Sequence, residues 1–596
     1  MSIFQEDISE KTWDVKYRYR LRDQIIDQSI EDTWRRVASA VAKAEALENR
    51  AKWEQAFFDI LSGFRFLPGG RILAGAGTDH EVTLFNCFVM SVSEDTLPAV
   101  FDALREAAIT LQYGGGVGYD FSILRPRGYP VTHTGTIASG PVSFMRIWDA
   151  MCATMESTGA RRGAMMGILR CDHPDIEAFI AAKSDPHELR HFNLSVLVTD
   201  AFMQAVKEDR EWELVFPVGE NDSTDTMLRH WSCSAEPVAC RVVKRVRAKE
   251  LWDKIIRAAY DYAEPGVLFE DSINRLNNLW YREWISATNP CGEIPLPLYG
   301  SCNLGSLNLT QFVKRPYSTE ADLDWDALQK TTIIATRFLD NVIDITHYPL
   351  MVQKQEERLT RRMGLGITGL ADMLVMLGLP YGSEQSFAFT ERLIKAITET
   401  TWQASIELAR ERGVFAAFHA AKYIQGHFVE RLPDTIRQGI EKHGIRNSHH
   451  NTIAPTGTTS LLANNVSSGI EPIFHGQYTR RMRTAGDEYI KYSVTNYALR
   501  VWQQQDHAEP FPPAWQDVGT LTPEQHLKMQ ATLQPYIDNS ISKTINVPVD
   551  FPFEKLISVY TDAWKMNLKG CTVFRLNPIT GSVLSEDEVE HCGHCT

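Results

Sequence analysis

The stretch Asn289-Pro290-Cys291-Gly292-Glu293-Ile294-Pro295-Leu296, followed by Ser301-Cys302-Asn303-Leu304, gathers an amide, two thiols and a carboxyl in a short length of chain. Pro290, Gly292 and Pro295 oppose a regular helix. Asn289, Cys291 and Glu293 therefore fall at two-residue steps of extended chain, where alternate side chains project toward one face. A carboxyl buried beside a thiol is costly unless it is paired or does chemistry, so the stretch reads as a site rather than a core loop. In a reducing compartment such cysteines serve catalysis, redox exchange or metal binding.

Other segments suggest contact with an anion. Pro455-Thr456-Gly457-Thr458-Thr459-Ser460 precedes the apolar run Leu461-Leu462-Ala463. It could set hydroxyls and free N–H groups at a helix start, a geometry that suits phosphate, although an ordinary Ser/Thr cap reads the same way. Gly114-Gly115-Gly116-Val117-Gly118 follows a helical pattern and fits a tight turn or a close approach of backbone to ligand. Gly364, Gly366 and Gly369 match G-x-G-x-x-G, but the charged run before them is not a strand, so they read as packing glycines. The last residues carry Cys592-Gly593-His594-Cys595 after His591, a spacing open to disulfide exchange or to zinc.

The elements that must hold these groups alternate between helix and strand. Trp34, Val37, Val41 and Ala44 share a helical face in a charge-dense region of 1–65. Phe101, Leu104, Ala108 and Leu111 fit another, and 251–262 and 393–412 are helical, the latter closed by Gly413. Phe192, Leu194, Val196 and Val198 alternate as in a strand, and 267–269 is extended. Such alternation predicts an α/β fold with a substantially parallel sheet. No linker or repeat interrupts 66–578, and 579–596 shifts to Gly, Ser, Asp and Glu, as in a flexible tail.

Composition narrows the classes. With 596 residues, 44% of them hydrophobic and 23% charged, the chain is an ordinary globular protein larger than a single core. Its net charge of −14 argues against a nucleic-acid polymer as partner. No run is long and apolar enough for a membrane span, and the N-terminus lacks the features of a signal peptide, so a cytoplasmic location is expected.

The blocks 289–295, 301–308, 114–118, 159–166, 361–370 and 455–460 together resemble segments of ribonucleotide reductase. The resemblance covers about 66–578. It implies a ten-stranded α/β barrel of two antiparallel half-barrels with an internal finger loop, after a small helical N-terminal region. It also implies that Cys291 carries a transient thiyl radical, that Glu293 is the base for the 3′-hydroxyl and that Asn289 holds the substrate. Cys87 and Cys302 resemble the dithiol that becomes a disulfide as the sugar is reduced. Asn86, Gly116 and the residues Pro455, Thr456, Gly457, Thr458, Thr459 and Ser460 resemble substrate contacts. Arg161, Arg162 and His133 resemble loops that read a dNTP or ATP specificity effector.

The same resemblance narrows the radical source. Lys569-Gly570-Cys571-Thr572-Val573-Phe574-Arg575 lacks the tyrosine pair of the metal-dependent class, and 577–596 shows no glycyl-radical segment. Adenosylcobalamin, which makes its own radical by Co–C homolysis, is the implied cofactor. Asp185-Pro186-His187-Glu188-Leu189-Arg190 departs from the Asp-x-His-x-x-Gly of histidine-ligated cobalamin enzymes, so base-on binding is expected. An ATP-binding helical module is missing and Pro68-Gly69-Gly70-Arg71 replaces the usual phosphate turn, so on/off control by dATP is not expected. Cys592 and Cys595 resemble a redox shuttle to thioredoxin or glutaredoxin. The implied substrate is a ribonucleotide, with the diphosphate preferred, and a homodimer is expected. The competing readings are a metal-dependent large subunit served by a separate radical subunit, and a nucleotide-sensing barrel without chemistry.

Overall fold

The N-terminal region is helical for local reasons that the sequence displays. Ser29 accepts from the Asp32 N–H while the Asp32 carboxylate accepts from the Ser29 N–H, a capping box that starts Ile30–Ala42. Trp34, Val37 and Val41 line its buried face, but Ala44 lies past the helix end. Asp7–Lys16 and Arg50–Leu61 complete the region. A polar chain ties it together: the Trp13 indole donates to Thr33 Oγ1 at 2.9 Å, which donates to Asp27 at 2.7 Å, and Arg36 pairs with the same carboxylate.

The computed structural model describes residues 3–575 apart from 23, 132–134, 156–162, 186, 219–225, 233, 235, 484–488 and 506–507. These residues form two compact units, one from 1–86 with 301–543 and one from 87–300 with 544–575.

In the first unit, Ser301–Asn308 pairs antiparallel with Phe66–Pro68 and parallel with Met363–Thr368. Parallel bridges continue from Leu365 to Asn451 and from Ile453 to Ile541. Two long helices pack here, Trp325–Ile345 and Glu384–Arg412. The second starts at a Ser383 cap and stops at Gly413, whose φ of +83° ends the helix. Gly364 and Gly366 sit inside the Met363–Thr368 strand, and a Cβ on Gly366 would come within 2.1 Å of the Thr452 carbonyl oxygen. Gly366 is a packing glycine.

In the second unit, Cys87–Met90, Gly116–Asp120, Met165–Arg170, Phe192–Val198 and Gly266–Phe269 run parallel in that order. Gly570–Arg575 is antiparallel to the last of them and parallel to Thr544–Val547. Phe192–Val198 is buried along nearly its whole length, as a strand of a covered parallel sheet must be. Leu97–Gln112 buries Ala99, Val100, Ala103, Ala107 and Thr110 and leaves Phe101 half exposed. Its small residues, not the larger ones of the sequence pattern, allow it to lie close to its neighbours. Glu211–Pro217, Val238–Arg247 and Thr226–Arg229 form a separate antiparallel sheet.

Candidate active site

The Asn-Pro-Cys-Gly-Glu block is not the extended segment that its spacing predicts. Ala287–Thr288 and Pro295–Leu296 pair antiparallel, and residues 289–294 are the reversed tip of this hairpin. Gly292 takes φ +80° and donates its N–H to the Asn289 carbonyl at 3.1 Å. Asn289 then locks the return, its Oδ1 accepting from the Ile294 N–H at 3.0 Å. Asn289 and Glu293 converge through a turn rather than through the pleat of a strand.

The hairpin lies hard against Gly116–Asp120. A Cβ on Gly118 would stand 1.8 Å from the Thr288 carbonyl oxygen, so the approach requires glycine. The Asn193 amide donates to the Pro290 carbonyl at 2.9 Å, and Tyr299 donates to Glu106 at 2.8 Å beyond the hairpin's return. Asn193, Glu106 and Tyr299 escape sequence reasoning because each is an unremarkable polar residue until the fold brings it to the loop.

At the tip the Asn289 amide donates to Cys87 Sγ at 3.1 Å, and Cys87 Sγ stands 4.0 Å from Glu293 Oε1. Cys87 is at the start of its strand, in register with Gly116. Cys87, Asn289 and Glu293 are buried, whereas Cys291 is half-buried at the tip. Burial pushes the Glu293 carboxyl up to about 7 against the opposing hydrogen bond from Asn289. A carboxyl that titrates near neutrality can take or give a proton.

The first unit holds Cys302, Asn86 and the 455–460 turn. Cys302 is buried on Ser301–Asn308, its Sγ 3.2 Å from the Asn303 carbonyl oxygen. Asn86 is half-buried, and its Oδ1 has no hydrogen-bond partner among the described residues. Pro455 and Thr456 lead into the short helix Gly457–Leu462, with Thr456 at φ +50°. The Thr456 hydroxyl is held by Thr368 Oγ1 at 2.9 Å and by the Gly469 N–H at 2.8 Å. Thr459 and Ser460 donate back to the Thr456 and Gly457 carbonyls. These hydroxyls shape the turn. Arg161, Arg162, His133, Cys592 and Cys595 lie outside the described residues.

Comparison with known proteins extends this local picture to the whole chain. Residues 85–574 match the family model "Ribonucleotide reductase, barrel domain", and residues 3–81 match "Ribonucleotide reductase, all-alpha domain". The chain is 37% identical to the vitamin B12-dependent ribonucleoside-diphosphate reductase of Mycobacterium tuberculosis (strain CDC 1551 / Oshkosh), over 96% of this chain and 80% of that protein. It is 35% identical to the protein of the same name from Thermoplasma acidophilum, over 96% of this chain and 71% of that one. A ribonucleoside-diphosphate reductase subunit alpha of Chlamydia pneumoniae is 26% identical, over 90% of this chain and 56% of that one. A hairpin that holds a carboxyl against a buried thiol, in a chain spanned by both models, leads to one assignment: the chain belongs to the ribonucleotide reductase family.

Proposed function

We propose that the protein reduces ribonucleoside diphosphates to 2′-deoxyribonucleotides by thiyl-radical chemistry that depends on adenosylcobalamin. The observation that carries this reading is the tip of the hairpin, where three groups are buried and Cys291 alone is half exposed. Cys291 is the least buried of the four groups, as suits the sulfur that the radical source addresses. Adenosylcobalamin, when bound, supplies a carbon-centred radical by Co–C homolysis. The stronger likeness to relatives named for vitamin B12 than to the chlamydial subunit alpha supports the same cofactor.

In this mechanism Cys291, as thiyl, takes the ribose 3′ hydrogen atom, and Glu293 accepts the 3′-hydroxyl proton. Asn289 orients the substrate and steadies Cys87. The 2′-hydroxyl leaves as water with a proton from the Cys87/Cys302 dithiol. Two electrons from that dithiol reduce the sugar as an S–S bond forms, and Cys291 recovers its thiyl by returning hydrogen to the 3′ carbon. The turn 455–460 and Asn86 hold the substrate, Gly116 leaves it room, and Arg161, Arg162 and His133 read a dNTP or ATP effector in a homodimer. Product from CDP that requires both adenosylcobalamin and a dithiol tests the proposal. Turnover without cobalamin but with a partner protein would favour the metal-dependent class, and nucleotide binding without turnover a sensor.

Glu293 gives the reaction a pH signature. As a base it must be ionised, so kcat/KM falls roughly tenfold per unit as pH drops below about 7. The folded state holds this proton more tightly than the unfolded chain, so Glu293's contribution to stability is lost as pH rises through about 7. Glu293→Gln is therefore expected to abolish turnover yet raise the Tm at pH 8 relative to the unsubstituted protein, with no such gain at pH 4. A pH-independent kcat/KM from 5 to 8 would contradict the role.

Cys592 and Cys595 are proposed to pass electrons from thioredoxin or glutaredoxin to the site, as a tethered dithiol at high local concentration can. Cys592→Ser should lose turnover with thioredoxin and retain it with a small dithiol. Equal loss with both reductants, or zinc bound by the purified protein, would contradict the shuttle.

A further inference from the structure

The short helix Gly457–Leu462 is flanked by backbone that does not hold itself in place. Thr456 before it has φ +50°, and Asn464 and Asn465 after it have φ +62° and +59°. All three lie in the left-handed region, which Asn adopts more readily than Thr, and contacts on both sides of the helix fix the conformation. On the far side of the helix those contacts come from the beginning of the chain. The Asn464 side chain pairs with the backbone there, Oδ1 accepting from the Gln5 N–H at 2.8 Å and Nδ2 donating to the Ile3 carbonyl at 3.0 Å. Ser9, fully buried, donates its hydroxyl to the Leu461 carbonyl at 2.6 Å and so satisfies one of the last acceptors of the helix. Ile8 packs with Leu461 and Val494 in a small apolar cluster.

Arg500 closes the arrangement. Its guanidinium donates to Gln5 Oε1 at 3.1 Å and to the Asn464 carbonyl at 2.8 Å, and it pairs with Glu6, both side chains being nearly buried. The Thr495 N–H also donates to Glu6 Oε1 at 3.4 Å, and the Asn465 amide donates to the Thr495 carbonyl at 3.2 Å. Phe4 anchors the segment at the other side, 5.9 Å from the Trp13 ring and 6.1 Å from Phe64. A segment some 450 residues away in sequence thus holds the trailing end of a helix whose leading end is the proposed phosphate turn. A helix of six residues is too short to keep its own position.

We infer that residues 3–9 form a positioning strap that sets the 455–460 turn for the substrate phosphates, with Ser9, Glu6 and Arg500 as its positioning residues. This rests on the proposed phosphate role of that turn. The strap's contacts are with the helix that follows the turn, so its loss weakens nucleotide binding and leaves the chemical step alone.

The test compares the full-length protein with Ser9→Ala, Ser9→Thr, Glu6→Gln and a deletion of residues 1–9, reading KM for CDP, kcat, and the inhibition constant of inorganic pyrophosphate. Loss of the Ser9 hydrogen bond should raise the KM for CDP roughly fivefold, and loss of the charge on Glu6, which pairs with Arg500, roughly tenfold. In both, kcat should stay within about twofold and pyrophosphate inhibition should weaken by the same factor as KM, because a contact made equally in ground and transition states changes KM and not kcat. Ser9→Thr, which keeps the hydroxyl, should restore the original KM. The deletion should show the largest rise. Unchanged KM and pyrophosphate inhibition in folded Ser9→Ala and Glu6→Gln would overturn the strap, as would a fall in kcat at constant KM. If the unsubstituted enzyme is not inhibited by pyrophosphate at all, the phosphate role of the turn fails instead, and the two failures are distinguishable.

Discussion

Cys291→Ala is expected to abolish deoxyribonucleotide formation, with a loss on the order of 10⁴-fold or more, because the remaining groups act only as a unit with the sulfur that starts the reaction. The hairpin should survive the change. Cys291 is half exposed at the tip, and the bonds that define the turn belong to Asn289, Gly292 and Ile294. An unaltered Tm alongside lost product, with CDP binding retained in equilibrium dialysis, would place the defect in chemistry rather than in folding. Cys291→Ser should behave alike, since a hydroxyl does not yield a hydrogen atom as readily as a thiol. Residual turnover above a hundredth of the original rate would contradict the assignment.

Gly118→Ala carries the second large effect, and it acts through geometry alone. The added methyl would stand 1.8 Å from the Thr288 carbonyl oxygen, a backbone atom that cannot swing aside as a side chain can. Either the Gly116–Asp120 strand or the hairpin must move. Overpacking of this kind costs about 1–3 kcal/mol. A hairpin displaced by about 1 Å would lower kcat by roughly 10²-fold, since reacting groups tolerate little misplacement. Gly519→Ala is the control, because its Cβ would meet only Asp517 Oδ1, at 3.5 Å. Thermal unfolding and steady-state kinetics on the two variants decide the matter. Full activity in Gly118→Ala would mean that the hairpin position is not what sets the site.

Local signals in the sequence carried much of the fold and less of the site. The Glu384–Arg412 helix announces itself by periodicity and by its closing glycine, and the buried parallel strands by short apolar runs between helical patterns. The antiparallel sheet around Val238–Arg247 is not legible in the same way. Among the described residues Val215, Trp231 and Cys240 form its small buried cluster, and basic residues along the exposed strand Val238–Arg247 blur the alternation. At the site, the residue types at 289–293 pointed to chemistry, but a two-residue step was the wrong geometry because Gly292 reverses the chain at φ +80°. Asn-Pro-x-Gly between two short apolar pairs is a turn signal that would have given the hairpin. The partners that complete it, Cys87 and Asn193, come from strands about 100 or more residues earlier, and no local pattern encodes such pairing. The same holds for Gln5 and Ser9 against Asn464 and Leu461.

In the proposed mechanism a sulfur radical at position 291 begins the reaction. Electron paramagnetic resonance on protein frozen within milliseconds of mixing with adenosylcobalamin, CDP, a dNTP effector and a dithiol tests it most directly. The expected signal narrows when the protein is made with cysteine deuterated at the β carbon and vanishes in Cys291→Ala. A signal unaffected by that deuteration, or one that persists without Cys291, would contradict it.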